Sequence, residues 1–130
     1  MPYARSRKFA GDTPESQRAA VDSLFARTEP HVRATYDALV AAAEECGPIW
    51  VQPSKSSIHI MAKSAIAGVH TRKVALLVTI KSGIELKSPR IRKIERVSRN
   101  RFYFDILMDS PAAIDAEVQD WLREAYELSC

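Results

Sequence analysis

The tripeptide Glu85-Leu86-Lys87 has the form E-x-K, in which a carboxylate that could hold a hard cation stands beside a lysine that could assist phosphodiester cleavage. Such a centre needs further carboxylates. The nearest upstream, Glu44 and Glu45, lie beyond three strand-like segments, and a strand alternating ionic and apolar residues explains the tripeptide more simply. Serine, histidine and aspartate are present, but no G-x-S-x-G elbow marks an activated serine. His31, His59 and His70 lack the spacing that holds zinc, as do Cys46 and Cys130. The four glycines, at 11, 47, 68 and 83, are neither paired nor spaced to cradle a phosphate. No cofactor or metal is expected, and the chain reads as non-enzymatic; a small-ligand or metal-dependent enzyme is the weakest of the readings kept.

Charge gives the stronger signal. Lys81 to Arg101 holds eight lysines and arginines against Glu85 and Glu95, a net +6 in a chain whose total is +3, so the remainder sums to −3. Within it, Ser88 to Leu107 sets six cations before the alternating Phe102-Tyr103-Phe104-Asp105-Ile106. Cations at that density can grip phosphates, with an aromatic stacking on an unpaired base; they can equally keep a sheet edge in water.

The elements that must carry these residues follow from periodicity. Met1 to Gly11 reads as part of a flexible tail over residues 1–12. Thr13-Pro14-Glu15 announces a helix with Val21, Leu24 and Phe25 on its apolar face, ending near Arg27. Thr28-Glu29-Pro30 starts a second, in which Val32, Tyr36, Leu39, Val40 and Ala43 recur at helical spacing until Gly47-Pro48. Beyond Pro48 the period falls to two. Ile49-Trp50-Val51 reads as an edge strand between prolines, and Ser57 to Lys63 alternates. Ala67-Gly68-Val69 is ambiguous. Lys73 to Ile80, apolar on both sides, suits a central strand covered on both faces, and Ile84 to Lys87 a further strand after a turn at Ser82-Gly83. Residues 88–97 fit either a short helix or, preferred, a hairpin arm turning at Arg99-Asn100. Ser110-Pro111 then opens a long helix with Ile114, Val118, Trp121, Leu122, Ala125 and Leu128 in one stripe and acids opposite.

Connections this short predict an antiparallel meander of about five or six strands, with two N-terminal helices and one long C-terminal helix: a single α+β domain over residues 1–130. If one parity of each strand meets the helices, the other shows Lys55, Ser57, His59 and Lys63, then Lys81, Glu85 and Lys87, then Arg101, Tyr103 and Asp105. Trp121 is expected in the core, Tyr126 at a sheet edge with its hydroxyl on a polar partner, and Trp50 either buried or exposed. The longest apolar run, Val74 to Ile80, is far too short to span a bilayer, and no signal segment is read; a reduced, cytoplasmic protein without membrane attachment is expected.

Tyr36-Asp37-Ala38-Leu39-Val40 leading to Cys46-Gly47-Pro48, then Lys55-Ser56-Ser57-Ile58, and the closing Trp121-Leu122-Arg123-Glu124-Ala125-Tyr126 resemble a family of domains of unknown function, over residues 21–129. Its members are also labelled "predicted transport protein", and the domain is sometimes attached to restriction-type nuclease chains. The resemblance implies a compact α+β domain without established activity, and Lys55 as a candidate functional position. At Ala65-Ile66-Ala67 the chain lacks the aromatic residue the resemblance leads one to expect. The expectation is therefore a binding or accessory module with an unidentified protein partner. Nucleic acid or another polyanion is the alternative, and a homodimer, basic hairpin against acidic helix, is also kept. The contact residues expected are Lys55, His59, Lys87, Arg90, Arg92, Lys93, Arg96, Arg99, Arg101 and Tyr103.

Overall fold

Three helices gather on one face of a six-stranded, wholly antiparallel sheet in a computed structural model that describes residues 14–129. The tail and the Thr13 cap read from the sequence lie outside the described residues. In chain order the elements are α1 (Pro14–Leu24), α2 (Pro30–Glu44), β1 (Trp50–Pro53), β2 (Ile58–Met61), β3 (Ala65–Thr71), β4 (Leu76–Ser82), β5 (Ile91–Ser98) and β6 (Arg101–Met108). A 3-10 turn, Pro111–Ala113, leads to α3 (Ala116–Leu128).

The strands lie in the order β1-β2-β3-β4-β6-β5. The expected meander therefore holds only through β4: β6 takes the place beside it, and β5 is left at the edge. This also corrects the strand expected at Ile84 to Lys87. The chain must pass beyond β6 to reach the edge, and residues 83–90 are spent on that crossing, so Glu85 and Lys87 stand on no strand.

Register sorts the side chains. Ile58 pairs with Val69, Ala67 with Ile80, Val78 with Ile106, and Ile80 with Phe104; all are buried and point at the helices. Val32, Tyr36, Leu39 and Ala43 from α2 meet them, as do Val118, Trp121, Leu122 and Ala125 from α3. Phe104 sits edge-on to Trp121 at 5.0 Å between centroids, the favoured geometry for two quadrupoles. Truncating a fully buried ring such as Phe104 costs about 3–5 kcal/mol.

Helix ends fix the layers. Thr28 closes α1, its hydroxyl donating to the Phe25 carbonyl, rather than capping α2. The Glu29 amide donates to the Lys73 carbonyl at 2.8 Å and His31 Nε2 to that of Val74 at 2.8 Å, so the start of α2 is tied to the β3–β4 turn. Gly47 has φ +149°, and an added Cβ would strike the Tyr126 ring. Tyr126 in turn donates to the Pro48 carbonyl at 3.2 Å, clasping α3 to the entry of edge strand β1. Ser110 caps no long helix. The chain makes its 3-10 turn, and Asp115 caps α3 by accepting the Val118 amide at 3.2 Å.

Candidate binding surface

The second parity of the strands forms a face without helices. Gln52 lies opposite His59 and His59 opposite Gly68; Gly68 pairs with Thr79, Thr79 with Asp105, Lys81 with Tyr103, and Asp105 and Tyr103 with Lys93 and Glu95. β4 is thus internal in the sheet but covered on one face only, so the expectation of two covered faces is corrected: Leu77 and Thr79 are half-buried from solvent. His59, Lys63 and Tyr103 are exposed while Ile58, Ile60 and Phe104 are sealed in.

Glu85 and Lys87 lie off this face on the crossing connection, and two further members of the expected ionic face are buried. Ser57 is buried in the β1–β2 turn, where its carbonyl accepts the Ser54 amide at 2.7 Å. Lys81 is 7% exposed and donates to the Ser64 hydroxyl at 3.0 Å.

A hollow of about 280 Å³, open to solvent, lies on this face between His59, His70, Thr79 and Tyr103, with Ala65 and Gly68 among its lining. Its presence follows from small residues. Gly68 stands under His59, whose ring would lie 3.7 Å from any Cβ placed there, and Ala65 occupies the place where an aromatic was expected. Met61 pairs with Ala65 but Ile60 with Ala67, so Ile66 is the extra residue of a bulge and is buried. An adjoining depression of about 250 Å³ shares Thr79 and Tyr103 and adds Lys93, Glu95 and Asp105. There the Thr79 hydroxyl donates to Asp105 at 2.6 Å.

The basic stretch does not lie in one plane. Arg90 is turned inward onto α3: one nitrogen reaches Asp115 at 3.0 Å and Glu117 at 3.2 Å, the other donates to the Ala113 carbonyl at 2.8 Å, and its guanidinium lies over the Trp121 ring at 5.9 Å. With the cap bond from Val118 first and Arg90 second, the Asp115 carboxyl is held below its usual range. Arg92 sits in a bulge and Lys93 on the open face, both exposed on edge strand β5. Arg96 pairs with Phe102 on the opposite parity and covers its ring at 5.9 Å. Arg99 is in the hairpin turn; Arg101, on the open face, donates to the Asn100 carbonyl at 2.8 Å. Lys87 is exposed on the crossing connection.

Lys55 is exposed in the β1–β2 turn, at the end of β1 away from Trp50, so the two do not share a pocket. The structure therefore brings together His59, Lys93, Arg101 and Tyr103, and separates them from Lys55, Lys87 and Arg90. His70, Thr79 and Leu107 were not foreseen on this surface; Asp105 was, though not its bond with Thr79. Two-residue counting back from Lys81 and forward from Tyr103 marks Thr79 and Leu107; His70 needed the β3 register, which the ambiguous Ala67-Gly68-Val69 withheld. Among the described residues no group of three or more histidine, cysteine, aspartate or glutamate side chains is placed to hold a metal, and no helix is long and apolar enough to cross a membrane.

These features define an α+β domain with one sheet face under helices and one bare. A family model described as a domain of unknown function, DUF5655, matches residues 21–129, and the chain belongs to that family. Comparison with curated proteins and with solved structures gives no match.

Proposed function

We propose that the domain is a binding module for a protein partner, which it meets through the bare sheet face and the adjoining β5–β6 hairpin. The observation that carries this reading is the one-sided placing of the helices. It leaves Tyr103 39% and Leu107 41% exposed on the sheet rather than under cover, Tyr103 between Lys81 and Glu95 and Leu107 opposite Leu77. Apolar and aromatic anchors within a polar rim suit a protein contact. A phosphate backbone is served less well: Glu95 and Asp105 stand among the cations of this face, the arginines are divided between two faces and an edge, and Tyr103 is its one aromatic near the hairpin.

The test places a photo-crosslinking phenylalanine analogue at Tyr103 or, as control, at Glu124 on the exposed side of α3. Discrete, nuclease-resistant protein adducts are expected from position 103, not from 124, and they are lost in Leu107→Asp. Equal adducts from both positions would overturn the reading. So would salt-sensitive binding of labelled single- or double-stranded nucleic acid that an Arg96/Arg99/Arg101 charge reversal abolishes.

A further inference from the structure

The two edges of the sheet are built differently. β1 has four residues, lies between Pro48 and Pro53, and has α1 beside it. Those are ordinary devices for closing an edge. β5 has eight residues and is exposed along most of its length, including Val97 at 49%. Bulges between Ile91 and Lys93 and between Arg96 and Ser98 bound a regular stretch in which Lys93, Ile94, Glu95 and Arg96 pair one to one with Asp105, Phe104, Tyr103 and Phe102. Along that stretch the amides and carbonyls turned away from β6 form a strand template.

Its side chains select by sign. Arg92 to Arg99 carries four cations and one acid. Solubility alone is served by charge of either sign, whereas an edge of net +3 discriminates between partners. A second copy pairing β5 with β5 would bring together two edges that each carry four cations and one acid over Arg92 to Arg99, a net repulsion. The phosphates of a nucleic acid only accept and, ribose 2′-hydroxyls apart, would leave the outward carbonyls of the edge to water. A polypeptide strand answers both.

We propose that β5 is the docking edge for an acidic, extended segment of a partner protein, which adds to the sheet as a further strand. This rests on the binding-module reading above. Run antiparallel, the segment places acids beside Arg96, Lys93 and Arg92 and an apolar β-branched residue beside half-buried Ile94. Arg96 is already held for this, its guanidinium over Phe102 and donating to the Ser98 and Arg99 carbonyls at 3.2 and 3.3 Å. Main-chain bonds supply affinity in such additions and the flanking side chains supply selectivity.

The experiment titrates the full chain into a labelled, capped peptide, Thr-Glu-Thr-Val-Glu-Glu-Thr, and follows anisotropy. Saturable binding is expected, about tenfold weaker or worse when alternate peptide amides are N-methylated, which removes edge hydrogen bonds and leaves the charge unchanged. A loss of similar size, about tenfold, is expected for Lys93→Glu/Arg96→Glu, two exposed positions, and on replacing each peptide glutamate by lysine. The N-methyl arm leaves the protein untouched, so the test stands even if the variant folds poorly. Absence of saturable binding, binding indifferent to N-methylation, or a dimer of the parent abolished by the same double substitution would each overturn the proposal. Failure of the peptide with the Tyr103 adducts intact removes the edge proposal alone; loss of the adducts with the peptide still bound removes the bare-face reading alone.

Discussion

Replacing Arg90 with alanine separates the cations that build the fold from those that face outward. Arg90 is 28% exposed, its carboxylate partners Asp115 and Glu117 are 53% and 44% exposed, and water therefore screens both ion pairs. Each is worth about 0.5 kcal/mol. The bond to the Ala113 carbonyl adds about 1 kcal/mol and the contact over Trp121 about 0.5 kcal/mol. One guanidinium makes all four contacts, so they do not sum freely, and the expected loss is about 2 kcal/mol. For a chain of this size that is a fall in Tm of about 8 °C. Arg92→Ala, on the exposed bulge, should lie within about 0.5 kcal/mol of the parent.

Acid gives a second check on Arg90. Asp115 titrates below the usual carboxylate range, so its contribution is complete above an unfolded value of about 4 and disappears as pH falls through the lower folded one. The Arg90→Ala penalty is then full at neutral pH and shrinks in acid by the part owed to Asp115. Urea unfolding of both variants at neutral and acid pH measures this. Equal effects of the two substitutions, or an Arg90 penalty unchanged in acid, would refute the assignment.

Gly47→Ala is expected to destabilise by about 2–4 kcal/mol, because φ +149° strains an L residue and the new methyl meets the Tyr126 ring, whose Cζ lies 2.7 Å from the ideal Cβ position. In a Tyr126→Ala background only the backbone strain should remain, so the two substitutions couple in a urea-melt cycle; strict additivity would contradict the contact. Tyr36, 5% exposed, has its hydroxyl pushed up to about 12 by burial, with nearby Arg33 opposing. A folded value above the unfolded one means stability is complete below about pH 10 and lost as pH rises toward 12, by about 1 kcal/mol at pH 11. Tyr36→Phe should remove that alkaline loss in urea melts compared at pH about 8 and 11, and a parent with no such loss would show the hydroxyl to be solvated.

Local pattern reached far into this fold where one neighbour settles the outcome. Pro30 and Gly47 bracket α2 because a fixed φ suits a first turn and a positive φ ends the last. The two-residue connection Arg99-Asn100 and the alternation through Phe104, Ile106 and Met108 gave the hairpin and its buried face. The failures lie where distant partners compete. Ile84 to Lys87 has strand-like alternation, yet the flank of β4 it would need is occupied by β6. Ser110-Pro111 has a helix-start signal, yet Ile114, at ψ 76°, breaks the path and Asp115 supplies the cap. No local signal distinguishes Asp115 as a cap from Asp115 as one more acid on the outer side of the helix.

The same competition decides what the basic stretch can do. Counted along the chain it is one block of charge, but two-residue alternation sends Lys93 and Arg96 to opposite faces, and the bulge takes exposed Arg92 out of the alternation. Arg90, one residue before the strand, is drawn instead to the acids at the start of α3. A strand divides its cations in this way whatever their number, so density in sequence is weak support for a flat cationic surface. What remains together is what the strand geometry keeps together: the edge itself, with Lys93 on one face, Arg96 on the other and Arg92 in the adjoining bulge. A ligand that engages all three must follow the edge as an extended chain, and this is why the charge of β5 points to a strand partner more strongly than to a phosphate backbone laid across the sheet.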